Sequence, residues 1–106
     1  MRKRNWRITW GQTAADELAA AVDYLAERNR PAARNLLNAL DEQLGRVRQF
    51  PRSGREVPEL QREHLREVFV SNYRIIYRVN DARAQLQVLA FIHSARLLPS
   101  EIAERE

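Results

Sequence analysis

The spacing of apolar residues in the first part of the chain predicts a short strand followed by a helix. Apolar and polar residues alternate from Trp6 to Trp10, which is the period of a strand with one buried face, and Gly11 ends this run. Thr13 is a favourable N-cap residue for a helix over about residues 13 to 28. The apolar positions that recur at helical spacing are Ala14, Leu18, Ala21, Val22 and Leu25.

A second helix is predicted to follow at once and to fold back on the first. Pro31 suits the first turn of a helix, where its missing N–H needs no partner, and Pro51 ends the helical pattern. The apolar stripe between them consists of Leu36, Leu37, Leu40, Leu44, Val47 and Phe50. Two amphipathic helices joined by two or three residues form an antiparallel hairpin that cannot bury its apolar side alone. Another layer must therefore cover the hairpin.

The second half of the chain predicts three strands. Residues 65–70 and 73–79 are rich in β-forming residues and are separated only by Ser71 and Asn72, which indicates a tight hairpin. Residues 85–93 form a third run of the same kind. The order β-α-α-β-β-β predicts an α+β fold in which the helical hairpin packs on one face of a small antiparallel sheet.

Two segments lack a regular pattern. Residues 51–63 contain Gly54, Pro58 and several charges, which is typical of an irregular connection, and the segment is long enough to have a functional role. Residues 97–106 are predicted to form a flexible or weakly helical tail. A length of 106 residues suits one hydrophobic core, so a single domain over residues 1–106 is expected.

Strand alternation assigns the side chains of the predicted sheet to two faces. The expected register sets Val70 opposite Tyr73 and Val79 opposite Leu86. On this register the face toward the helices carries Val68, Tyr73, Ile75, Tyr77, Val79, Leu86, Val88, Ala90 and Ile92. The outer face carries Leu65, Glu67, Phe69, Arg74, Ile76, Arg78, Gln87, Leu89, Phe91 and His93.

The predicted outer face combines large apolar side chains with arginines and is therefore a candidate interface. Contiguous exposed apolar area usually marks a partner site, and a basic rim suits an acidic protein segment or a phosphate backbone. The alternative is that the 51–63 connection or the tail covers this face of the sheet.

Composition narrows the classes of function. The chain contains no cysteine, which excludes disulfides, thiolate metal sites and a cysteine nucleophile, and no metal or cofactor is expected. No apolar run approaches the roughly 18 residues that span a bilayer, so we expect a cytoplasmic protein without a membrane partner. The net charge of +4 is carried almost wholly by arginine, whose planar guanidinium suits phosphate and carboxylate partners.

Several short motifs, taken in order, resemble the toxins of the ParE/RelE superfamily. They are AADEL and YLA in the first predicted helix, PRSGR and VPE in the connection, and LRE, YRIIYRV and HSAR in the strands. Together they extend over about residues 6 to 96, and the layout of that superfamily agrees with the predicted one. The resemblance implies the toxin of a type II toxin–antitoxin system, which a cognate antitoxin holds inactive, with a toxin–antitoxin heterotetramer as one expected assembly.

The resemblance leaves two activities open. ParE-like members are described as DNA gyrase inhibitors without catalytic residues, whereas RelE-like members cleave mRNA on the ribosome. In the RelE-like case the resemblance implies that Arg74 stabilises the scissile phosphate and His93 is the general acid, with Glu59 as the corresponding base. Such groups suit the attack of a ribose 2′-hydroxyl on the adjacent phosphate.

Two departures from the RelE-like pattern favour the ParE-like branch. The chain lacks the active-site lysines of the lysine-dependent ribonucleases, and Ser94 stands where a tyrosine would follow the late histidine. In either branch, the residues expected to bind the antitoxin or another partner are Glu67, Phe69, Arg74, Ile76, Arg78, Leu89, Phe91 and Arg96.

Overall fold

Two helices pack on one face of a five-stranded sheet in the computed structural model, which describes residues 5–105. The elements are β1 (Arg7–Trp10), α1 (Gln12–Arg28), α2 (Arg30–Gln49), β2 (Arg55–Glu56), β3 (Leu65–Val70), β4 (Tyr73–Asn80), β5 (Gln85–His93) and a 3-10 helix (Ile102–Arg105). The α+β layout with a helical hairpin on one side of the sheet is confirmed. Within residues 5–105, no helix combines the length and the apolar character needed to cross a bilayer.

The two helices meet at a single residue, Asn29. It ends α1, where its backbone N–H donates to the Leu25 carbonyl oxygen at 2.7 Å. It also caps α2, because its side-chain Oδ1 accepts a hydrogen bond from the Ala32 backbone N–H at 3.1 Å. Pro31 lies in the first turn of α2 as predicted, whereas α1 is capped by Gly11 and not by Thr13.

The sheet has the strand order β1-β5-β4-β3-β2 and is mixed. Strands β3, β4 and β5 are antiparallel neighbours, and the expected pairs Val70 with Tyr73 and Val79 with Leu86 are confirmed. Strand β1 pairs with β5 in parallel, so the prediction of a purely antiparallel sheet was wrong. The alternation of residues 6–10 identifies a strand, but it carries no information on which neighbour that strand will join or in which direction.

A β-bulge in β5 changes the register halfway along its pairing with β4. Ile76 pairs with Ala90, but the next residue, Tyr77, pairs with Val88. Leu89 is therefore the additional residue on the β5 side. Beyond it, every side chain of β5 points to the opposite face from the one that simple alternation predicts.

The bulge corrects four predicted placements, and one of them is His93, which was expected on the outer face but lies on the side of the helices. Phe91, expected on the outer face, packs in the core beneath the helices, and its ring stacks on Tyr73 with centroids 4.7 Å apart. Ala90 and Ile92, expected beneath the helices, lie on the outer face. A continuous apolar run fits either face equally well, so the sequence of β5 does not reveal the bulge.

Apolar side chains are buried on both faces of the sheet. Between the sheet and the helices lies a core built largely from Ala14, Leu36, Leu40, Val47, Val68, Ile75, Tyr77, Val79, Leu86, Val88 and Phe91. On the other face is a second cluster, here called the outer cluster, which consists of Val57, Leu65, Ile76, Leu89, Ala90, Ile92 and Ile102. The 51–64 connection supplies Val57 to it and the C-terminal segment supplies Ile102, and both side chains are fully buried.

The outer cluster overturns the prediction that Ile76 and Leu89 form an exposed interface. Both are almost completely buried, because the connection and the C-terminal segment fold over them. Ile102 thus anchors the C-terminal segment in the outer cluster, and Leu60 and Leu98 pack against that cluster. Covering this face removes apolar surface from water. Each Å² buried in this way stabilises the folded state by roughly 25 cal/mol, a contribution that an uncovered sheet face would lack.

Candidate functional site

Arg74, on the outer face of β4, is held by two carboxylates. Its Nη1 and Nη2 donate to the two oxygens of Glu59 at 2.8 Å and 3.0 Å, a bidentate pair, and its Nε donates to Glu67 Oε1 at 3.0 Å. Arg74 is itself buried, with 7% of its surface exposed. The guanidinium therefore already has two anionic partners within the chain.

Glu67 is the buried centre of this network. Its side chain is fully buried, and Arg55 in β2 binds its second oxygen from the solvent side. A buried carboxylate needs such partners because an unpaired charge in the interior costs several kcal/mol. Hydrogen bonds from Arg74 lower the pKa of Glu59 to about 2, and the same bonds raise the pKa of Arg74 above its ordinary value.

A second arginine network fastens the connection to the other end of the sheet. Arg52 contacts Glu63 and forms a bidentate pair with Asp81, at 3.0 Å from Nη1 and 2.8 Å from Nη2. Arg66 donates to the Gly54 carbonyl oxygen at 3.2 Å and to the Glu63 carbonyl oxygen at 2.8 Å. The connection is therefore bound to the sheet along its length.

His93 lies on the opposite side of the sheet from Arg74. Its ring meets the edge of Tyr73 with centroids 5.5 Å apart, and its Nδ1 accepts a hydrogen bond from the Ala95 backbone N–H at 3.1 Å. It borders a groove of about 750 Å³ between the helical hairpin and the β3–β4 turn, whose lining includes Tyr24, Asn35, Leu36, Asn72, Tyr73 and His93.

The three residues proposed for RNA cleavage are thus not gathered around one point. Glu59 and Arg74 are in direct contact with each other, while His93 is separated from them by the sheet. General acid–base catalysis needs the acid, the base and the cation within reach of the same phosphate. A carboxyl group with a pKa of about 2 is also a weak base at neutral pH.

The residues proposed for partner binding fall into two groups. Phe69, Arg78 and Arg96 are at least partly exposed; Phe69 is 44% exposed at the edge of the sheet, with the Arg55 guanidinium 5.5 Å from its ring centroid. The remaining members are buried and can contact a partner only after rearrangement; they are Glu67, Arg74, Ile76, Leu89 and Phe91.

Sequence reasoning overlooked two groups near the groove and the tail. Tyr24 is 56% exposed at the groove, and the Arg28 guanidinium lies 3.6 Å from its ring centroid, an i, i+4 pair that helical spacing could have revealed. Glu17 Oε1 accepts hydrogen bonds from the Phe91 backbone N–H and from Arg105 Nη1, each at 3.1 Å. These contacts of Glu17 join residues that are distant in sequence, and no local pattern indicates them.

The family model for the ParE toxin of type II toxin–antitoxin systems, parDE, matches residues 8–98. The chain belongs to this ParE toxin family. Among solved structures, the chromosomal ParDE toxin–antitoxin system from P. aeruginosa is similar, at 20% sequence identity and a TM-score of 0.65. The match covers 84% of this chain and 96% of that one, and at this identity it shows the fold alone. No curated protein matches the chain.

The region that matches the ParE family contains both arginine networks and the whole sheet except Arg7, the first residue of β1. It ends at Leu98, so Ile102 and Arg105, which complete the outer cluster and bind Glu17, lie beyond it. Residues inside the matched region, such as Val57, and one beyond it, Ile102, thus cover the outer face together.

Proposed function

We propose that this ParE-family toxin inhibits growth by binding DNA gyrase, without cutting RNA, and that a cognate antitoxin neutralises it. The observation that carries the proposal is the placement of Arg74, Glu59 and His93. The first two are bound to each other, and the third lies across the sheet.

The charged contacts of Arg74 also support a function without RNA cleavage. An arginine that stabilises a phosphate in a transition state must present its donors to that phosphate. The donors of Arg74 are instead directed at Glu59 and Glu67, and moving them to a substrate would leave the buried Glu67 with only Arg55. Arg74 is thus suited to holding the connection on the sheet.

The exposed features suit protein partners. Phe69 offers an exposed aromatic side chain at the β3 edge, and the groove beside His93 presents Tyr24 and Tyr73 together with amide side chains. Aromatic residues are enriched among the side chains that dominate binding energy at interfaces. In this proposal the antitoxin contacts Phe69 and Arg96 and assembles with the toxin as a heterotetramer, with the cytoplasm as the site of action.

The test measures both activities with the same purified chain. One reaction follows supercoiling of relaxed plasmid by DNA gyrase, and the other follows translation of a preformed message in a cell-free system. We expect supercoiling to be inhibited while translation proceeds and the message stays intact.

A ribosome-dependent ribonuclease gives the opposite pattern. Transcripts cut only when ribosomes are present, with normal supercoiling, would overturn the proposal and return Arg74 and His93 to catalytic roles. In that case folded His93→Ala and Arg74→Ala variants would lose cleavage, whereas His64→Ala, immediately before β3, would serve as the matched histidine control.

A further inference from the structure

The outer face of the sheet is covered over only part of its area. The connection and the C-terminal segment lie over the outer cluster, whereas the region around Arg78 is polar and partly exposed. Pairing across the sheet places Thr9 beside Gln87 and Gln87 beside Arg78. Arg7 precedes Thr9 on the same face of β1, because Ile8 and Trp10 pack toward the helices. These four side chains, Arg7, Thr9, Arg78 and Gln87, are here called the Arg78 row.

Within residues 5–105, Arg78 forms no ion pair with a carboxylate, unlike four arginines of the connection and of strands β2 to β4. Arg52, Arg55, Arg66 and Arg74 each contact a carboxylate. Among residues 5–105, the Nε of Arg78 is the buried side-chain atom without a hydrogen-bond partner, and its Nη2 reaches only the Gln87 Oε1, at 3.3 Å. A buried donor without a partner is unfavourable, and the ion pairs that hold the other arginines do not hold Arg78.

The chemistry around Arg78 is suited to an anion. Strands β1, β4 and β5 contain no aspartate or glutamate, so no carboxylate of these strands can neutralise the row. Arg7 adds a second positive charge at the exposed end, and Thr9 adds a hydroxyl. Strands lie about 4.8 Å apart, so the row spans roughly 10 Å of the sheet surface, which is wider than one carboxylate group.

We propose that the Arg78 row binds the phosphate backbone of duplex DNA. Arginine, threonine and glutamine side chains are common phosphate ligands. A protein partner is less suitable because the row has no apolar or aromatic anchor, the feature that dominates protein interfaces. A single strand is also less suitable, since the row contains no aromatic side chain on which successive bases could stack.

The choice of DNA over RNA rests on the proposed gyrase target, since gyrase acts on duplex DNA. Through the Arg78 row, the toxin would bind the DNA beside its protein target weakly and without sequence preference. The contribution of the row is therefore electrostatic and decreases steeply with salt concentration.

The experiment uses the purified chain and a short fluorescent DNA duplex, without gyrase. Binding is followed by fluorescence anisotropy over a series of salt concentrations. Each phosphate contact contributes about 0.9 to the slope of log affinity against log salt concentration. We therefore expect Arg78→Gln to make this slope less steep by about 0.9 and to weaken binding at low salt. Arg7→Gln, at an exposed position, is the second variant and should act in the same direction.

The matched control is Arg34→Gln, which removes the same charge from the exposed face of α2, on the other side of the sheet. A slope as steep as the parent's in both Arg78→Gln and Arg7→Gln would overturn the proposal, as would an equal change in Arg34→Gln. Tighter binding of the corresponding single strand or of an RNA duplex, or Arg78-dependent binding of polyglutamate alone, would also overturn it. Because gyrase is absent, this outcome is independent of the supercoiling test.

Discussion

The Tyr77 hydroxyl donates a hydrogen bond to the Pro51 carbonyl oxygen at 2.7 Å and so ties the middle of β4 to the start of the connection. The Tyr77 hydroxyl oxygen in turn accepts a hydrogen bond from the Gly54 backbone N–H at 3.2 Å. Tyr77 is 1% exposed, and burial raises the pKa of its hydroxyl, which keeps the donor proton in place. A core side chain thus supplies both a donor and an acceptor to the backbone of an irregular segment.

Tyr77→Phe removes both hydrogen bonds while retaining the ring. We expect the free energy of unfolding to fall by about 1–3 kcal/mol, because the Gly54 N–H loses its partner. Urea denaturation measures this change. Tyr24→Phe, at an exposed tyrosine, is the control and should stay within about 0.5 kcal/mol of the parent; an equal loss in both variants would contradict the assignment.

Two glycines provide a pair of substitutions with opposite expected signs. A Cβ on Gly54 would lie 2.6 Å from the Glu67 carbonyl oxygen and 2.6 Å from the Tyr77 hydroxyl, so Gly54→Ala forces the connection away from β3. We expect a loss of about 1–3 kcal/mol in unfolding free energy. A Cβ on Gly45 meets nothing within 4 Å, and Gly45 lies inside α2, so Gly45→Ala should stabilise the chain by about 0.5–1 kcal/mol. Thermal unfolding of both variants tests the pair, and a stable Gly54→Ala would refute the close packing.

The two arginines that bind Glu67 should differ in their contribution to stability. The Arg74 side chain is 9% exposed and the Arg55 side chain 59% exposed. Arg74→Met leaves the buried carboxylate with one exposed partner, and we expect a loss of about 3 kcal/mol. Arg55→Met should cost about 1 kcal/mol or less, because exposed ion pairs contribute little.

A double variant isolates the interaction between Arg74 and Glu67. Combining Arg74→Met with Glu67→Gln should recover part of the loss, since the buried negative charge is gone. Chemical denaturation of the two single variants and the double variant gives the coupling energy. Strictly additive changes would mean that the two side chains do not depend on each other.

Stability should fall in acid through Glu59. Its pKa is about 2 in the folded chain and about 4.5 in its ordinary range, so the folded state favours the ionised form. The contribution is fully present above about pH 4.5 and is lost as the pH falls toward about 2. Glu59→Gln should therefore flatten the fall of unfolding free energy in this window, and Glu42→Gln in α2 is the matched control. An unchanged pH profile in Glu59→Gln would count against the pair with Arg74.

Phe69 and Leu37 allow a matched test of antitoxin binding. They are 44% and 42% exposed, but Phe69 is on the β3 edge and Leu37 on α2. If Phe69 is an anchor, Phe69→Ser should weaken affinity for the cognate antitoxin by about 2 kcal/mol or more, whereas Leu37→Ser should have a smaller effect. Isothermal titration calorimetry measures both affinities. Equal affinities for parent and Phe69→Ser would place the antitoxin elsewhere.

The sequence predicted the helical hairpin and the register of both strand turns because each depends on local spacing. Val70 with Tyr73 and Val79 with Leu86 are paired as expected. The face of the sheet on which Phe91 lies could not be predicted in this way, because the bulge at Leu89 is a backbone feature within an apolar run.

The candidate site depended still more on contacts between distant parts of the chain. Glu59 and Arg74 were both singled out as candidate catalytic residues, yet their bidentate contact requires the connection to fold across the sheet. Spacing along the chain does not reveal such a fold. The same is true of Ile102, whose burial against Leu89 and Ile92 removes the apolar surface that the strands alone would expose.

The parallel pairing of β1 with β5 has a consequence for the order of events in folding. The first strand of the sheet cannot find its neighbour until the last strand has been made, because Ile8 pairs with Leu86 and Trp10 with Val88. Contacts between residues so far apart require closure of a long loop. This closure costs conformational entropy before the strand pairing contributes any favourable free energy. The antiparallel hairpins of β3, β4 and β5 can form first, and the docking of β1 then completes the sheet. During synthesis, the chain acquires its finished sheet only after nearly every residue up to His93 has left the ribosome.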